Sequence, residues 1–549
     1  MSDHAFSAPG SPLPPSAADA VLAGLTDNPL GETSPSIYDT GRVVTLTPWL
    51  PGLDGRLKFL LDSQRPDGVW GATGGYAVLP TLSATEALLT VLRRRDSSAV
   101  PPGRLAAAAG RGLSAIWGLT HRNDPARLPD VVAAELIAPA LVAEVNAHLD
   151  RLSEEPITGL DAWGSGGRLP LPPGSDPSAL ARAREHLRVS GDVQAKLWYS
   201  LEVMGAAARG TRARPVDGAL ACSVSATAAW LGHPPIAEPA SIAFLQATAA
   251  AYGGAVPGTF PLYGFERTWA IGALVRVGID VRVPPSLIED LEQSLAAGAV
   301  GGAPGLPPDA DSTSAGFATL ARLGRPRTPD CLWEFELDDH FCCWQGERTP
   351  SPTANAHVLE AFAEHIARNA GDSGRHRAAV RKIVRWLAGV QLENGSWADK
   401  WHASPYYATS HCSLALDLVA DPGAERAVRR AVEWTLATQN ADGSWGIWGG
   451  TSEETAYAIH VLLHTAPGRS DPRSGRAAAR GREFLLSQDP ERHPPLWHQK
   501  DLFAPAAVCR AVRLAALRLT DSHTAPTADA GKGPGHGSAD HRRQMRAGR

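Results

Sequence analysis

Cysteine is scarce in this chain, with six residues in 549, two of them adjacent at Cys342 and Cys343, and no CxxC pair. That pattern excludes a zinc ribbon and a dense disulfide framework, and reduced thiols in a cytoplasmic protein are the expectation. A basic excess is also missing: 52 Lys and Arg face 57 Asp and Glu, a net charge of -5. Neither nucleic acid nor an anionic membrane is an expected partner. The start carries no basic segment followed by an apolar one, and no run of about 18 apolar residues occurs, so secretion and stable membrane insertion are not expected. Lysine is rarer than the charge total suggests. It stands only at 58, 196, 382, 400, 500 and 532, which makes each one more informative than an arginine.

Helix is what the sequence has in quantity. Ile383, Trp386, Leu387 and Val390 fall at i, i+3, i+4 and i+7, and Val428, Ala431, Val432 and Leu436 nearly repeat that stripe. No sustained alternation of apolar and polar residues competes, so the fold class is all-α. A chain of this length is expected to form roughly two to four packed units. Both ends are rich in Pro, Ser, Ala or Gly, and residues 1–30 and 520–549 are read as disordered tails.

One element occurs three times: QRPDGVWG from Gln64, QLENGSW from Gln391 and QNADGSWG from Gln439. Each follows an amphipathic helix. The Asp-Gly or Asn-Gly step permits the positive-φ turn that ends it, and the Trp can fold back as an apolar lid. Ser83 with Glu86, and Thr451 with Glu454, have capping-box spacing for the next helix. Helix, turn, helix is therefore the repeating brick, and pairs stacked around a ring give a double-layered α-barrel. These motifs are structural staples, not catalytic groups.

The stretch PPDADSTSAGFATLARLG is of another kind. Asp309 and Asp311 lie two residues apart between Gly/Pro-rich turns and an apolar helix. By itself that is a helix N-cap. Crowded and desolvated carboxylates cannot all ionise, however, so one can keep its proton near neutral pH and serve as a strong acid.

The turn repeats and DADST together resemble the class II terpene cyclases, whose acid motif is DxDD followed by Thr. Further segments are similar to the bacterial branch that acts on prenyl diphosphates, the relatives of copalyl diphosphate synthases: SPSIYDT at Ser34, YGFERTW at Tyr263, FELDDHFCCWQGERTPSPTANAH at Phe335, DKWHASPYYATSHC at Asp399 and LWHQKDLFAP at Leu496. The resemblance implies two α-barrels, a γ-like one over 44–245 inserted into a β-like one built from 31–43 and 246–519, with no class I α-domain. It implies Asp311 as the general acid and Asp309 as its orienting partner. Ser312 stands where the last Asp of the motif falls, so a hydroxyl takes over that hydrogen-bonding position.

The chemistry needs a dry acid and a cavity that stabilises carbocations over aromatic faces. Tyr263, Trp269, Trp333, Trp344, Trp401, Tyr406, Tyr407 and Trp497 are the candidates for the lining. Asn355 is the candidate holder for the last proton acceptor, and His357 and His411 rank below it as core histidines. Lys196, Lys400 and Lys500 are the candidate diphosphate ligands, with Mg2+ as the expected cofactor and metal ligands unidentified. No DDxxD or NSE-type motif is found, so the product is expected to keep its diphosphate and pass to a separate enzyme. Geranylgeranyl diphosphate, giving a bicyclic labdane-type diphosphate, is the first expectation, and farnesyl diphosphate, giving a drimane skeleton, is the alternative. A squalene-hopene-type cyclase, a zinc-dependent prenyltransferase β-like subunit and a noncatalytic α-barrel are the rival readings.

Overall fold

Six helices buried on nearly every side close into a ring in the computed structural model, which describes residues 15–121, 125–369 and 373–524. In order around the wall they are Tyr263–Arg276, Ala310–Arg322, Pro352–Arg368, Pro405–Leu416, Ser452–His464 and Ala506–Thr524, the last packing back on the first. Their sequences are rich in Ala, Ser and Thr, small enough for helices to face neighbours on both flanks. Amphipathic helices Pro285–Ala296, Gly374–Gly389, Pro422–Ala437 and Pro472–Ser487 form an outer layer, each burying one stripe. The remaining outer helix is Pro15–Asp27, which buries Leu22 and Leu25 against Ala506–Thr524 and Tyr263–Arg276.

That last helix corrects the expectation of a tail over 1–30: the described part of the stretch is packed against the first barrel. At the other end, Ala506–Thr524 runs past residue 520. The rest of the expected tail, 525–549, lies outside the described residues.

A second hydrophobic core is assembled from residues 38–260, again around a closed ring: Ile37–Leu46, Val78–Arg94, Ala134–Asp150, the irregular turn Ala195–Ala208 and Val224–Leu231. Tyr38 and Val43 belong to this core, so residues 37–43 pack with it and not with the barrel assigned to them from sequence. The segment Gly74–Arg94 is long and apolar enough to cross a membrane, but 83% of its most apolar window is buried in this core.

The three Gln-Gly-Trp turns are built alike. Trp70, Trp397 and Trp445 are fully buried, and their indole N–H groups donate to Leu60, Leu387 and Thr435 carbonyls at 2.6, 2.9 and 2.7 Å. Gln64, Gln391 and Gln439 each donate to the carbonyl of the turn glycine and to one on the next outer helix. Gly68, Gly395 and Gly443 have φ of 85°, 95° and 86°, and a Cβ on any of them would press within 2.7 Å of an arginine carbonyl. Thr451 caps its helix through Glu454 N at 3.1 Å, as expected. Ser83 does not: it lies inside Val78–Arg94 and donates to the Tyr38 carbonyl, while Glu86 pairs with Arg42.

Between the cores sits a short hairpin, Trp497–His498 paired with Leu502–Phe503. Its turn reaches into the second core. Asp501 accepts from Ile37 N and Tyr38 N, Lys500 donates to Ser223, Ser225 and Glu202, and the Gln499 carbonyl accepts from Val132 N.

Candidate active site

Helix Ala310–Arg322 begins at Asp309, and the cap geometry decides how the two acids differ. Asp309 Oδ1 accepts from Ser312 N at 2.6 Å, while Oδ2 accepts from Ser312 Oγ and Gly302 N, each at 3.1 Å. Both oxygens are thus held by the protein. Burial first, then the neighbouring Asp311 charge, pushes the Asp309 carboxyl up to about 7 against those stabilising donors. Asp311, on the first turn and 7% exposed, meets His357 Nδ1 through Oδ1 at 2.6 Å. Its Oδ2 has no protein partner among the described residues and lies on the wall of a cavity.

His357 rises from helix Pro352–Arg368 and meets His411 Nδ1 through Nε2 at 2.9 Å. Burial, then His357 and Arg276, lowers His411 well below the ordinary histidine range, so it is neutral. The assignment satisfying both bonds has His411 Nδ1–H donating to His357 Nε2 and His357 Nδ1–H donating to Asp311. Behind His411 lies a smaller cavity of about 40 Å³, with Arg276, Glu360 and His460 among its lining residues.

The main cavity, about 230 Å³, opens between the two cores. Aromatic faces dominate its wall: Trp269, Trp344, Trp401, Trp497, Phe265 and Phe503. Phe265 lies 4.4 Å from Trp269 and 5.1 Å from Trp497, centroid to centroid, and Trp344 lies 5.6 Å from Trp401. Tyr407 stands behind the wall, 4.7 Å from Trp497, with Trp269 Nε1 donating to its hydroxyl at 3.4 Å.

Other expected residues fall elsewhere. Tyr263 pairs with Asp217 and Arg267 at the surface, Tyr406 packs on Trp434, and Trp333 packs on Phe362 beneath Arg375. Asn355 is off the cavity and fully used, bridging Phe341 N, Phe341 O and Ser351 O at 2.9, 2.9 and 3.0 Å, so it ties a loop to its helix. Of the three lysines, Lys196 is exposed on the cavity rim with no ion pair among the described residues. Lys400 is bound to Glu347 and Thr349 O, over the rings of Trp344 and Trp401. Lys500 is fully buried on Glu202, Ser223 and Ser225.

Sequence reasoning underrated His357 and missed Phe265, Tyr199, Gln499 and Phe503. Helical spacing held part of the signal: Phe265 and Trp269 are i and i+4, one face of one helix.

Three comparisons with known proteins bear on this geometry. The squalene-hopene cyclase C-terminal domain matches residues 348–498, downstream of the acid pair. An ent-copalyl diphosphate synthase of Streptomyces sp. (strain KO-3988) is 42% identical over 92% of this chain and 96% of its own length, and a labda-7,13-dienyl diphosphate synthase of Streptomyces clavuligerus is 41% identical over 92% and 93%. The solved ent-copalyl diphosphate synthase from Streptomyces platensis superposes with a TM-score of 0.87 at 44% identity, covering 92% of this chain and 99% of that one.

The same findings correct the expectation of Mg2+. A cyclisation begun by a carboxylic acid leaves the diphosphate bond intact, so no ionising metal is required. The donor set agrees: among the described residues no group of three or more His, Cys, Asp or Glu is placed to hold a metal ion, and of the four oxygens of the two cavity carboxylates only Asp311 Oδ2 is not held by Ser312, Gly302 or His357.

Proposed function

The chain belongs to the bacterial copalyl diphosphate synthase group of class II terpene cyclases, and from that premise we propose that it cyclises geranylgeranyl diphosphate to a bicyclic labdane-type diphosphate. Asp311 is the proton donor in this reading, and one observation carries it. Oδ1 is held by His357 while Oδ2 is left without a protein partner among the described residues on a largely aromatic, apolar wall. Asp309 has no such free oxygen, which suits it to orient its neighbour and to raise the proton content of the pair.

Protonation of the terminal alkene puts positive charge first beside Trp269, Phe265 and Trp497, whose π-faces attract a cation without bonding to it. Ring closure follows as each remaining alkene attacks the cation before it. Lys196 at the rim is the favoured diphosphate contact, because Lys400 and Lys500 already neutralise buried carboxylates. The two rings of helices are read as β-like and γ-like units, the second inserted after helix Pro15–Asp27. Six unpaired cysteines, five of them buried, suit a reducing cytoplasm. The retained diphosphate makes the product a substrate for a separate diphosphate-consuming enzyme.

Incubation with geranylgeranyl and farnesyl diphosphates in turn, then dephosphorylation and mass-spectrometric identification, tests the reading. A bicyclic C20 alcohol is expected from the first. No cyclic product from either substrate overturns it.

A further inference from the structure

A cyclase that adds one proton must remove another, and in a bicyclic cation that proton leaves from a carbon at the second ring, away from the first-ring carbon that Asp311 protonates. We infer that Gln499, with Tyr199 and Thr259, holds the water that takes the final proton. This rests on the cyclase reading above.

Gln499 is 7% exposed, and its side chain lines the cavity with no protein hydrogen bond among the described residues. A buried carboxamide left without partners is costly, so its amide is satisfied by something inside the cavity. Its Oε1 lies close to the Gly258 backbone, where even a Cβ would come within 2.8 Å. Next along the chain is Thr259, whose hydroxyl meets Tyr199 OH at 2.6 Å, and both residues line the same cavity. In a bond between two hydroxyls only one hydrogen is used, so the pair keeps a donor and lone pairs to spare.

Of the other polar groups on the wall, Lys196 is a cation at the rim, Asp311 Oδ2 belongs to the acid and the Trp401 indole N–H can only donate, so none of these is a neutral acceptor for a water; the rest are engaged. His498 meets Tyr76 OH through Nε2 and the Lys400 carbonyl through Nδ1, both at 2.9 Å. Ser312 and Asp309 are bound to each other at the acid end. Gln499 and the hydroxyl pair therefore form a neutral polar spot on a largely apolar wall, on the side contributed by the second core.

The chemistry balances without a further reagent. The water oxygen takes a proton from a carbon adjacent to the final tertiary cation, the C–H electron pair becomes the new C=C bond, and the hydronium proton leaves to solvent through the rim. Nothing is oxidised or reduced. An uncharged amide and hydroxyls also suit the place, since a carboxylate there would capture the cation. Gln499 is thus a positioning residue, acting through the water.

The test uses the full chain with geranylgeranyl diphosphate. Gln499→Leu keeps the size and removes the hydrogen bonds, and Tyr199→Phe removes one oxygen and keeps the test available if the first variant fails to fold. Consumption is expected to fall by no more than about tenfold, because proton donation is untouched. The share of the wild-type product should drop below half, replaced by alkenes formed by loss of a proton from other neighbouring carbons or after hydride shifts. An unchanged product spectrum from variants that still consume substrate overturns the inference, as does a slower rate with the same products. A wild-type enzyme that forms no cyclic product overturns the cyclase reading instead, so the two failures are distinguishable.

Discussion

Each core buries an acidic cluster, and the two are shifted in opposite directions. In the second core Glu86, 2% exposed, is desolvated, but Arg42 at 2.9 Å and the side chains of Thr45, Thr90 and His148 hold its carboxyl well below the usual range. In the first, Asp309 is desolvated beside Asp311 with only neutral donors in contact, and its carboxyl rises to about 7. Burial raises both. What separates them is a cation within hydrogen-bonding reach. The first core also shows the contrast within itself, since Glu360 lies between Arg276 and Arg322 and is held far below the ordinary value despite its burial. Asp309 is not alone in its upward shift: Glu266, buried and held only by the backbone N–H groups of Glu32 and Ala507, is also raised to about 7, but only Asp309 of the two lines the cavity.

Removing the acid should produce the largest effect. Asp311→Ala and Asp311→Asn should each lower turnover by at least about 10³-fold, near the upper range for a lost general acid. The amide can donate a hydrogen bond but no comparably acidic proton. Single-turnover assays on variants with wild-type circular dichroism measure this, and substantial turnover by folded Asp311→Ala removes Asp311 from the mechanism. His357→Phe, which takes away the 2.6 Å bond to Oδ1, should cost about 10²-fold through misalignment alone.

The paired cluster should answer in stability instead. Arg42→Met leaves Glu86 and Glu144 facing each other without their cation, at a cost of about 3–5 kcal/mol in chemical denaturation. Specific activity of the folded fraction should stay within about threefold. A large loss of activity at unchanged stability would erase the distinction between the two clusters.

Opposite shifts also give opposite pH dependences. Asp309 is raised, so its contribution to stability is full below its unfolded value near 4 and is lost as pH rises through about 7. Glu86 is depressed, so its contribution is present above the ordinary glutamate value and is lost as pH falls through its lower folded value. Denaturation curves from pH 4 to 8 should show a declining limb in the wild type to which Glu266 and Asp501, raised to about 7 and about 6, also contribute, and Asp309→Asn should make it shallower by up to about 1.4 kcal/mol per pH unit. Identical slopes would remove the perturbed proton from Asp309.

The bricks of this fold were legible because their chemistry is local. A turn glycine at positive φ, a Trp that caps the preceding helix and a Gln that reaches four residues on are all specified within eight residues. The acid pair was legible for the same reason, as a cap at the start of a helix. Legibility failed where partners lie far apart in the chain. His357 meets Asp311 across 46 residues, Lys500 meets Ser223 across 277, and Asp501 caps Ile37 across 464. Helix Pro15–Asp27 was hidden by flanking Pro and Ser, and its burial comes from a helix nearly 500 residues later. Lys400 and Lys500 show the limit of residue type as a guide: each is a cation near the cavity, and each already has a buried carboxylate.

Ser312 should give the smallest effect of the set. It supplies two of the three hydrogen bonds to Asp309, but the shorter one, at 2.6 Å, comes from its backbone N–H and survives substitution. Only the Oγ contact at 3.1 Å is lost in Ser312→Ala, and Gly302 N still donates to the same oxygen. A bond of that kind is worth about 1 kcal/mol, and by transition-state arithmetic that is about a fivefold change in rate. Asp309→Asn, which disturbs all three bonds and removes the perturbed carboxyl, should therefore fall between Ser312→Ala and Asp311→Ala in single-turnover rate. If Ser312→Ala instead matched Asp309→Asn, the hydroxyl would be carrying the alignment assigned to the carboxylate. The neutral donors around Asp309 would then not be interchangeable, which the contrast with the cation-held Glu86 requires them to be.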